Sequence, residues 1–219
     1  MAHGLDARSI TLYHDAFLQV AEGASDAPEG ASGAWGAIAA NHRFNCLLWR
    51  EEDKARRQDV PAGEIAEGKH RIDGYNQQRN DAVEAIDEAI LTALAAVIPA
   101  ITPAPDARLS SETAGAMIDR LSILALKIHH MREQTLRLDA GAAHVEACAA
   151  RLGRLVTQRI DLSGCLDRLL LEAGDGRAYF KVYRQFKMYN DPALNPYLYG
   201  GAHAPQAQAQ GLPGPRGAA

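Results

Sequence analysis

Apolar side chains recur every three or four positions along most of the chain, a spacing that predicts α-helices. Proline and glycine mark several helix ends: Pro61 precedes one apolar segment, Pro99 follows it, and Gly174 follows the last. We therefore predict an all-α fold, a helical bundle of four to five main helices. The predicted helices span residues 5–21, 34–57, 62–97, 113–136 and 142–173.

The stretches between and after these helices have the composition of loops. Residues 22–33 are rich in Gly and Ser, and residues 99–110 form a Pro-containing connector. The aromatic segment 177–200 predicts a short helix that leads into an extended wrap over the bundle. The Ala-, Gln-, Gly- and Pro-rich end of the chain has too little apolar surface to fold, which predicts a disordered tail. The predicted organisation is an N-terminal helix and loop (1–33), one helical-bundle domain (34–200) and the tail (201–219).

The helix 34–57 shows three faces when it is projected at 100° per residue. We predict that its apolar face forms the core, with Ala37, Ala40, Phe44, Leu47, Leu48 and Ala55. We predict that its basic face is solvated, with Arg43, Arg50, Lys54 and Arg57. The third face carries Trp35, Ile38, His42, Asn45, Trp49, Asp53 and Arg56. Large apolar residues among these polar ones indicate that the helix is covered on two sides, so the polar residues are candidates to line a cavity.

The helix 62–97 carries polar residues next to its apolar stripe, among them Asn76 and Asn80. This is unusual, because an Asn in mid-helix costs roughly 0.5 kcal/mol of helix stability relative to Ala. Arg79 lies inside that stripe, and a half-buried Arg needs an anionic partner. We therefore expect Arg79 or Arg120 to meet an Asp of a neighbouring helix, the candidates being Asp53, Asp73 and Asp87. These patterns predict an interhelical polar site. A closed ion-pair network that only fixes the helix register is an equally weighted alternative. The predicted ligand-binding residues are His42, Asn45, Trp49, Asp53, Arg56, Lys69, Asp73, Asn76, Arg79, Asn80, Arg120 and Lys127.

Metal sites have weaker support in the sequence. Glu84 and Asp87 form an ExxD pair, and carboxylates of this kind on two helices can hold Mg²⁺, so we keep a Mg²⁺ site as an alternative. His129 and His130 are adjacent on a helix, where side chains diverge by about 100°, so we predict that they do not share a metal. No nucleophile motif, phosphate-binding loop or dinucleotide fingerprint is present, and no catalytic residue is predicted.

The net charge and the length of the longest apolar run limit the classes of partner that we expect. A net charge of −4 and a pI near 6.1 give no reason to expect a nucleic-acid partner. The longest apolar run, residues 90–101, is too short to span a bilayer, and we find no signal peptide. Cys46, Cys148 and Cys165 form no CxxC pair and predict reduced, buried thiols. We therefore expect a cytoplasmic protein without membrane insertion.

Several segments resemble a known family. They are NHRFNCLLWREEDKAR (41–56), KHRIDGYNQQRNDAVEAID (69–87), SETAGAMIDRLSILALKIHHM (111–131) and the segment 187–200. Over most of residues 35–200 the chain resembles an uncharacterised bacterial family, domain of unknown function 4254. It departs from the family pattern at Arg50, where a His is expected, and at Ala114, where a Pro is expected. The resemblance implies a helical fold without an established activity, and an association with glycosyltransferases of cell-surface polysaccharide.

Three functional hypotheses follow. The leading one is a cytoplasmic protein that binds a phosphorylated or nucleotide-linked metabolite, an anionic small molecule, in the interhelical polar site, in cell-surface polysaccharide metabolism. The second is a non-catalytic helical adaptor that docks on a glycosyltransferase through residues 177–200. The third is a Mg²⁺-dependent hydrolase, similar to nucleotide pyrophosphatases, that uses Glu84 and Asp87.

Overall fold

The computed structural model describes residues 5–20, 33–97, 104–184 and 191–199. Its long helices are α1 (Ala7–Val20), α2 (Ala34–Lys54), α3 (Ala62–Val97), α4 (Ala114–Thr135) and α5 (Ala142–Gly174). They confirm the predicted all-α fold and all five predicted helices. Most of the predicted loop 22–33, part of the connector 99–110 and the predicted tail 201–219 lie outside the described residues.

Two antiparallel helix pairs, α2 with α3 and α4 with α5, form the main packing units, and α4 also contacts α1, α2 and α3. Its central position agrees with its composition. Ile118 and Leu121 of α4 are fully buried and pack in one core with Leu166 and Leu169 of α5. None of the described helices combines the length and apolar character that crossing a bilayer requires.

A short parallel strand pair joins the two ends of the α4–α5 hairpin, and the sequence did not predict it. β1 (Arg108–Leu109) pairs with β2 (Ala178–Tyr179). The Arg108 guanidinium also lies 2.8 Å from Glu172 near the end of α5. Strands of two residues are too short to show an alternating pattern, so they cannot be recognised from the sequence.

The chain divides into two compact units, residues 1–183 and 184–219. In the described part of the second unit, α6 (Pro196–Tyr199) is a single helical turn, and the Asn195 side chain accepts a hydrogen bond from the Tyr197 N–H at 2.9 Å. The segment 177–200 therefore begins with β2 and has a helical turn near its end, whereas the sequence predicted a helix at its start.

Burial around α2 differs from the prediction. Within the predicted core face only Leu48 is buried, and its other members are half-buried, while Ile38, His42 and Asn45 of the third face are buried. The predicted basic face is exposed, as expected. The third face is covered, as predicted, but it is more deeply buried than the predicted core face because its polar residues find hydrogen-bond partners on α4. Cys46 and Cys148 are buried as predicted, but Cys165 is exposed.

The start of α4 lies unusually close to α3. The Thr113 hydroxyl accepts a hydrogen bond from the Ala116 N–H at 3.1 Å, and the Asp87 carboxylate accepts one from the Gly115 N–H at 2.6 Å. A carboxylate at a helix N-terminus is stabilised by the unpaired N–H groups there and by the helix dipole. Burial raises the pKa of Asp87, and the hydrogen bonds from Thr113 and Gly115 oppose that rise. Asp87 of α3 thus supports the first turn of α4.

Only glycine fits at position 115. A Cβ placed there would lie 2.5 Å from the Val83 carbonyl oxygen and 2.9 Å from the Asp87 carboxyl carbon. Because the first of these atoms belongs to the α3 backbone, no side-chain rotation relieves the overlap.

We expect Gly115→Ala to lower the free energy of unfolding by about 2–3 kcal/mol, measured by urea denaturation. The matched control is Gly74→Ala on exposed α3 surface with open space around it, which should raise stability by up to about 1 kcal/mol. Equal effects of the two variants would contradict this account.

Candidate functional site

A buried polar network joins α2 to α4. The side-chain amides of Asn41 and Asn45 donate to the same Asp119 oxygen, at 2.8 and 2.9 Å. Asn45 also donates to the Ser122 hydroxyl at 3.0 Å, and that hydroxyl lies 2.7 Å from His42 Nδ1. Since Ser122 accepts from Asn45, its own proton is available to His42, which suits a neutral imidazole. Two of the predicted ligand-binding residues, His42 and Asn45, therefore serve an internal network.

Two imidazoles stack in the interior beside this network. The rings of His14 and His42 lie 4.4 Å apart, and both side chains are fully buried. Neither ring nitrogen of His14 has a hydrogen-bond partner among the residues that the structure describes. Desolvation is the main cause that lowers the pKa of both: that of His42 to about 4, and that of His14 well below its usual value, with a further contribution from His42. Both imidazoles are neutral in the folded protein at pH 7.

A small cavity of about 310 Å³ lies between α2, α3 and α4. Its charged residues are balanced, because Arg56 lies within 4 Å of both Glu52 and Asp53. Arg79 donates to the Asn80 side chain at 3.2 Å, while its buried Nε has no partner within the described part of the chain. The cavity brings together six of the predicted site residues: Asn45, Trp49, Asp53, Arg56, Asn76 and Arg79.

Other predicted site residues lie elsewhere. Lys69 and Asp73 form an i,i+4 ion pair on α3. The Arg120 guanidinium donates to the two carboxylate oxygens of Glu112 at 2.6 and 2.8 Å. The expectation that Arg79 or Arg120 meets an Asp of a neighbouring helix is not met in the contacts described. Both residues of the Mg²⁺ alternative have interactions already: Asp87 receives the Gly115 N–H, and Glu84 also has a partner.

A larger groove, of about 670 Å³, lies between α2, α4 and α5. This volume is within the range of small-molecule sites, roughly 300–1,000 Å³. We call it the large groove. Two residues of α2 line it together with four each from α4 and α5, both with the i, i+3, i+4, i+7 spacing of one helix face. These residues are Trp49, Asp53, Lys127, His130, Met131, Gln134, Arg151, Arg154, Leu155 and Gln158.

The large groove carries an excess of positive charge. Lys127, Arg151 and Arg154 face a single carboxylate, Asp53, whose nearest cation is Arg56 at 3.8 Å. None of the three cations makes an ion pair or a side-chain hydrogen bond with any residue that the structure describes. They therefore remain available to an anionic ligand.

An aromatic wall forms one side of the large groove. The Trp49 ring stacks on His130 at 4.7 Å with an interplanar angle of 15°. Because Trp49 and Asp53 also line the small cavity, the two spaces share one wall on α2. A flat aromatic pair next to unpaired cations can contact a planar base and a phosphate of one ligand.

The sequence predicted three residues of the large groove, Trp49, Asp53 and Lys127, and missed its α5 side. Arg151 and Arg154 lie on an amphipathic helix where exposed cations are common, so they gave no sign of a site. The spacing 151, 154, 155, 158 equals that of 127, 130, 131, 134, but every helix face has this spacing, so it carries no signal by itself. Only the packing of α5 against α4 shows that these two faces meet.

His130 belongs to a second cluster at the end of α4. The ligand atoms of His129, His130 and Glu133 all lie within 4.8 Å of one another. The two imidazoles therefore converge more closely than a divergence of about 100° led us to expect. Both rings turn toward Glu133, which is within side-chain reach of positions one turn before it.

Residues 35–182 match the family described as protein of unknown function, DUF4254, and the chain belongs to this family. No curated protein and no solved structure shows significant similarity to the chain. The match begins at the second residue of α2 and ends beyond β2, so it contains every residue of both cavities.

The buried imidazoles predict a stability that depends on pH. Their pKa values lie below the unfolded value near 6.5, so the folded protein resists protonation that the unfolded chain accepts. The contribution of these neutral imidazoles to the free energy of unfolding is thus fully present above the unfolded pKa near 6.5, and it declines as the pH falls toward about 4. When the pH is lowered from 7 to 5, His42 alone should lower the free energy of unfolding by about 2 kcal/mol, because the unfolded chain binds a proton there and the folded protein does not. Urea denaturation at the two pH values measures this change.

Two variants test the origin of this loss. His14→Phe keeps a stacked ring and breaks no described hydrogen bond, so it should reduce the loss between pH 7 and pH 5. His70→Gln, on exposed α3 surface, should leave the loss as it is in the unmodified protein. A pH dependence that is the same in all three proteins would show that the buried pair is not its source.

Proposed function

We propose that this member of the DUF4254 family binds a phosphorylated or nucleotide-linked metabolite in the large groove. The observation that carries the proposal is the set of three cations, Lys127, Arg151 and Arg154, that have no partner among the described residues and line one groove. Several other cations of this chain have carboxylate partners, such as Arg71 with Glu51 and Arg159 with Asp15. An anion is the chemical group that complements the three.

The aromatic wall supports a ligand with a planar base. Trp49 is half-buried, so one part of its ring packs against His130 while another part faces the groove. Ring stacking offers area without selecting one base, whereas the glutamines Gln134 and Gln158 supply amides that can orient polar groups. The resemblance to proteins associated with polysaccharide glycosyltransferases makes uridine diphosphate (UDP), the nucleotide part of many nucleotide sugars, the first probe to test.

The adaptor hypothesis has separate support. Tyr183, in the first unit, and Tyr197, in the second, are 74% and 97% exposed. Exposed tyrosines are common at protein interfaces, because their rings bury much area at little entropic cost. The two proposals make different demands on the chain, since the adaptor needs residues 177–200 and the ligand site needs α2, α4 and α5.

UDP binding can be followed by the fluorescence of Trp49. The chain has two tryptophans, so a Trp35→Phe background leaves Trp49 as the single reporter. UDP should change its emission in a saturable way, and added salt should weaken the binding because the cations are exposed. In this background the double variant Arg151→Ala, Arg154→Ala should weaken binding at least about tenfold, since each hydrogen bond to a charged group is worth roughly 1.5–3 kcal/mol.

The matched control is Arg43→Ala, which removes an exposed cation of α2 that does not line the groove. It should leave the dissociation constant unchanged. All titrations include a chelator, so that the result reports the groove without bound metal. Absence of saturable binding at millimolar UDP, or equal affinities of the double variant and the parent, would overturn the proposal for this ligand class.

A further inference from the structure

We propose that His129, His130 and Glu133, in the last turns of α4, form a binding site for a transition-metal dication of the Zn²⁺ class. In the described part of the chain, this is the group of three metal-ligating side chains whose ligand atoms converge. The inference goes beyond the proposed function, because none of the three residues is one of its cations.

The distances fit a metal of this size. His130 Nδ1 lies 2.8 Å from one Glu133 oxygen, and His129 Nε2 lies 3.6 Å from the other. Zn²⁺ binds imidazole nitrogen and carboxylate oxygen at about 2.0–2.1 Å, which places two ligands of a tetrahedral ion roughly 3.3 Å apart. The observed separations bracket that value, so small side-chain rotations would bring three ligand atoms around one ion.

The ligand set selects the kind of metal. Two imidazoles and one carboxylate favour Zn²⁺ and similar ions over Mg²⁺ and Ca²⁺, which prefer oxygen ligands. Three protein ligands leave a fourth position of a tetrahedral ion for water or for a ligand group. The side chains of His129, His130 and Glu133 are 32%, 37% and 56% exposed, so an ion reaches them from solvent.

Packing against α2 holds part of the site in place. The Trp49 ring lies parallel to that of His130, which restricts the rotation of this imidazole and reduces the entropy lost on metal binding. His130 also lines the large groove, beside Lys127 and Gln134. A dication at this edge adds positive charge next to the anion site, and we expect Zn²⁺ and an anionic ligand to strengthen each other's binding.

The test uses the full-length, metal-stripped protein and ZnCl₂ in isothermal titration calorimetry. We expect saturable binding that weakens at least about tenfold in His129→Ala and in Glu133→Gln, since each removes one of three ligands. His70→Ala is the matched control, because it removes an exposed helical histidine outside the cluster and should leave the affinity unchanged. Circular dichroism verifies that the variants remain folded, which their exposed positions favour.

A second measurement places the ion. In the Trp35→Phe background, Cu²⁺ should quench Trp49 because the ion lies beside the ring stacked on His130, and Glu133→Gln should reduce that quenching. If Zn²⁺ affinity and Cu²⁺ quenching are the same in the parent and in both ligand variants, the cluster is only a hydrogen-bonded surface group and the proposal fails. The UDP titration in chelator is independent of this result, so either proposal can fail without the other.

Discussion

The close approach of α3 and α4 at Gly115 is the constraint on which the rest of the structure depends. It lets the Asp87 carboxylate accept the Gly115 N–H at 2.6 Å, and so fixes where α4 begins relative to α3. Since α4 also contacts α1, α2 and α5, an error in its placement would propagate to every helix of the first unit. A buried carboxylate without that N–H would be costly, so the contact also specifies the register of the pair.

The buried network of α2 then determines where the groove lies. Asn41 and Asn45 bond to Asp119, and Asn45 and His42 meet Ser122, which sets the height of α2 along α4. Trp49 is one helical turn beyond Asn45, and His130 is about two turns beyond Ser122. Hydrogen bonds in the closed interior therefore bring the Trp49 ring onto the His130 ring, at the wall of the large groove. Stability and the candidate site share one helix register.

The sequence was sufficient for the helices, since proline, glycine and a 3.6-residue period act locally. It was insufficient for the burial of α2, because a polar residue that bonds to another helix is indistinguishable in sequence from one that faces water. His42 and Asn45 were recognised as unusual, yet their partners Asp119 and Ser122 lie more than 70 residues away. Arg151 and Arg154 gave no signal at all, because their relevance comes only from the face of α4 that they meet.

The pairing of charges distinguishes polar residues that serve the structure from those of the proposed ligand site. Glu51 is nearly buried and accepts hydrogen bonds from Lys54 and Arg71, which keep its pKa low. Arg159 donates to both carboxylate oxygens of Asp15 in a half-buried pair. These charges are already compensated and offer little to a ligand. Lys127, Arg151 and Arg154 have no such partners in the described structure, and their exposure makes their mutual repulsion small, so stability neither requires nor forbids the arrangement. In the proposed function an anionic ligand supplies the missing negative charge, and the Trp49–His130 stack lines the same groove.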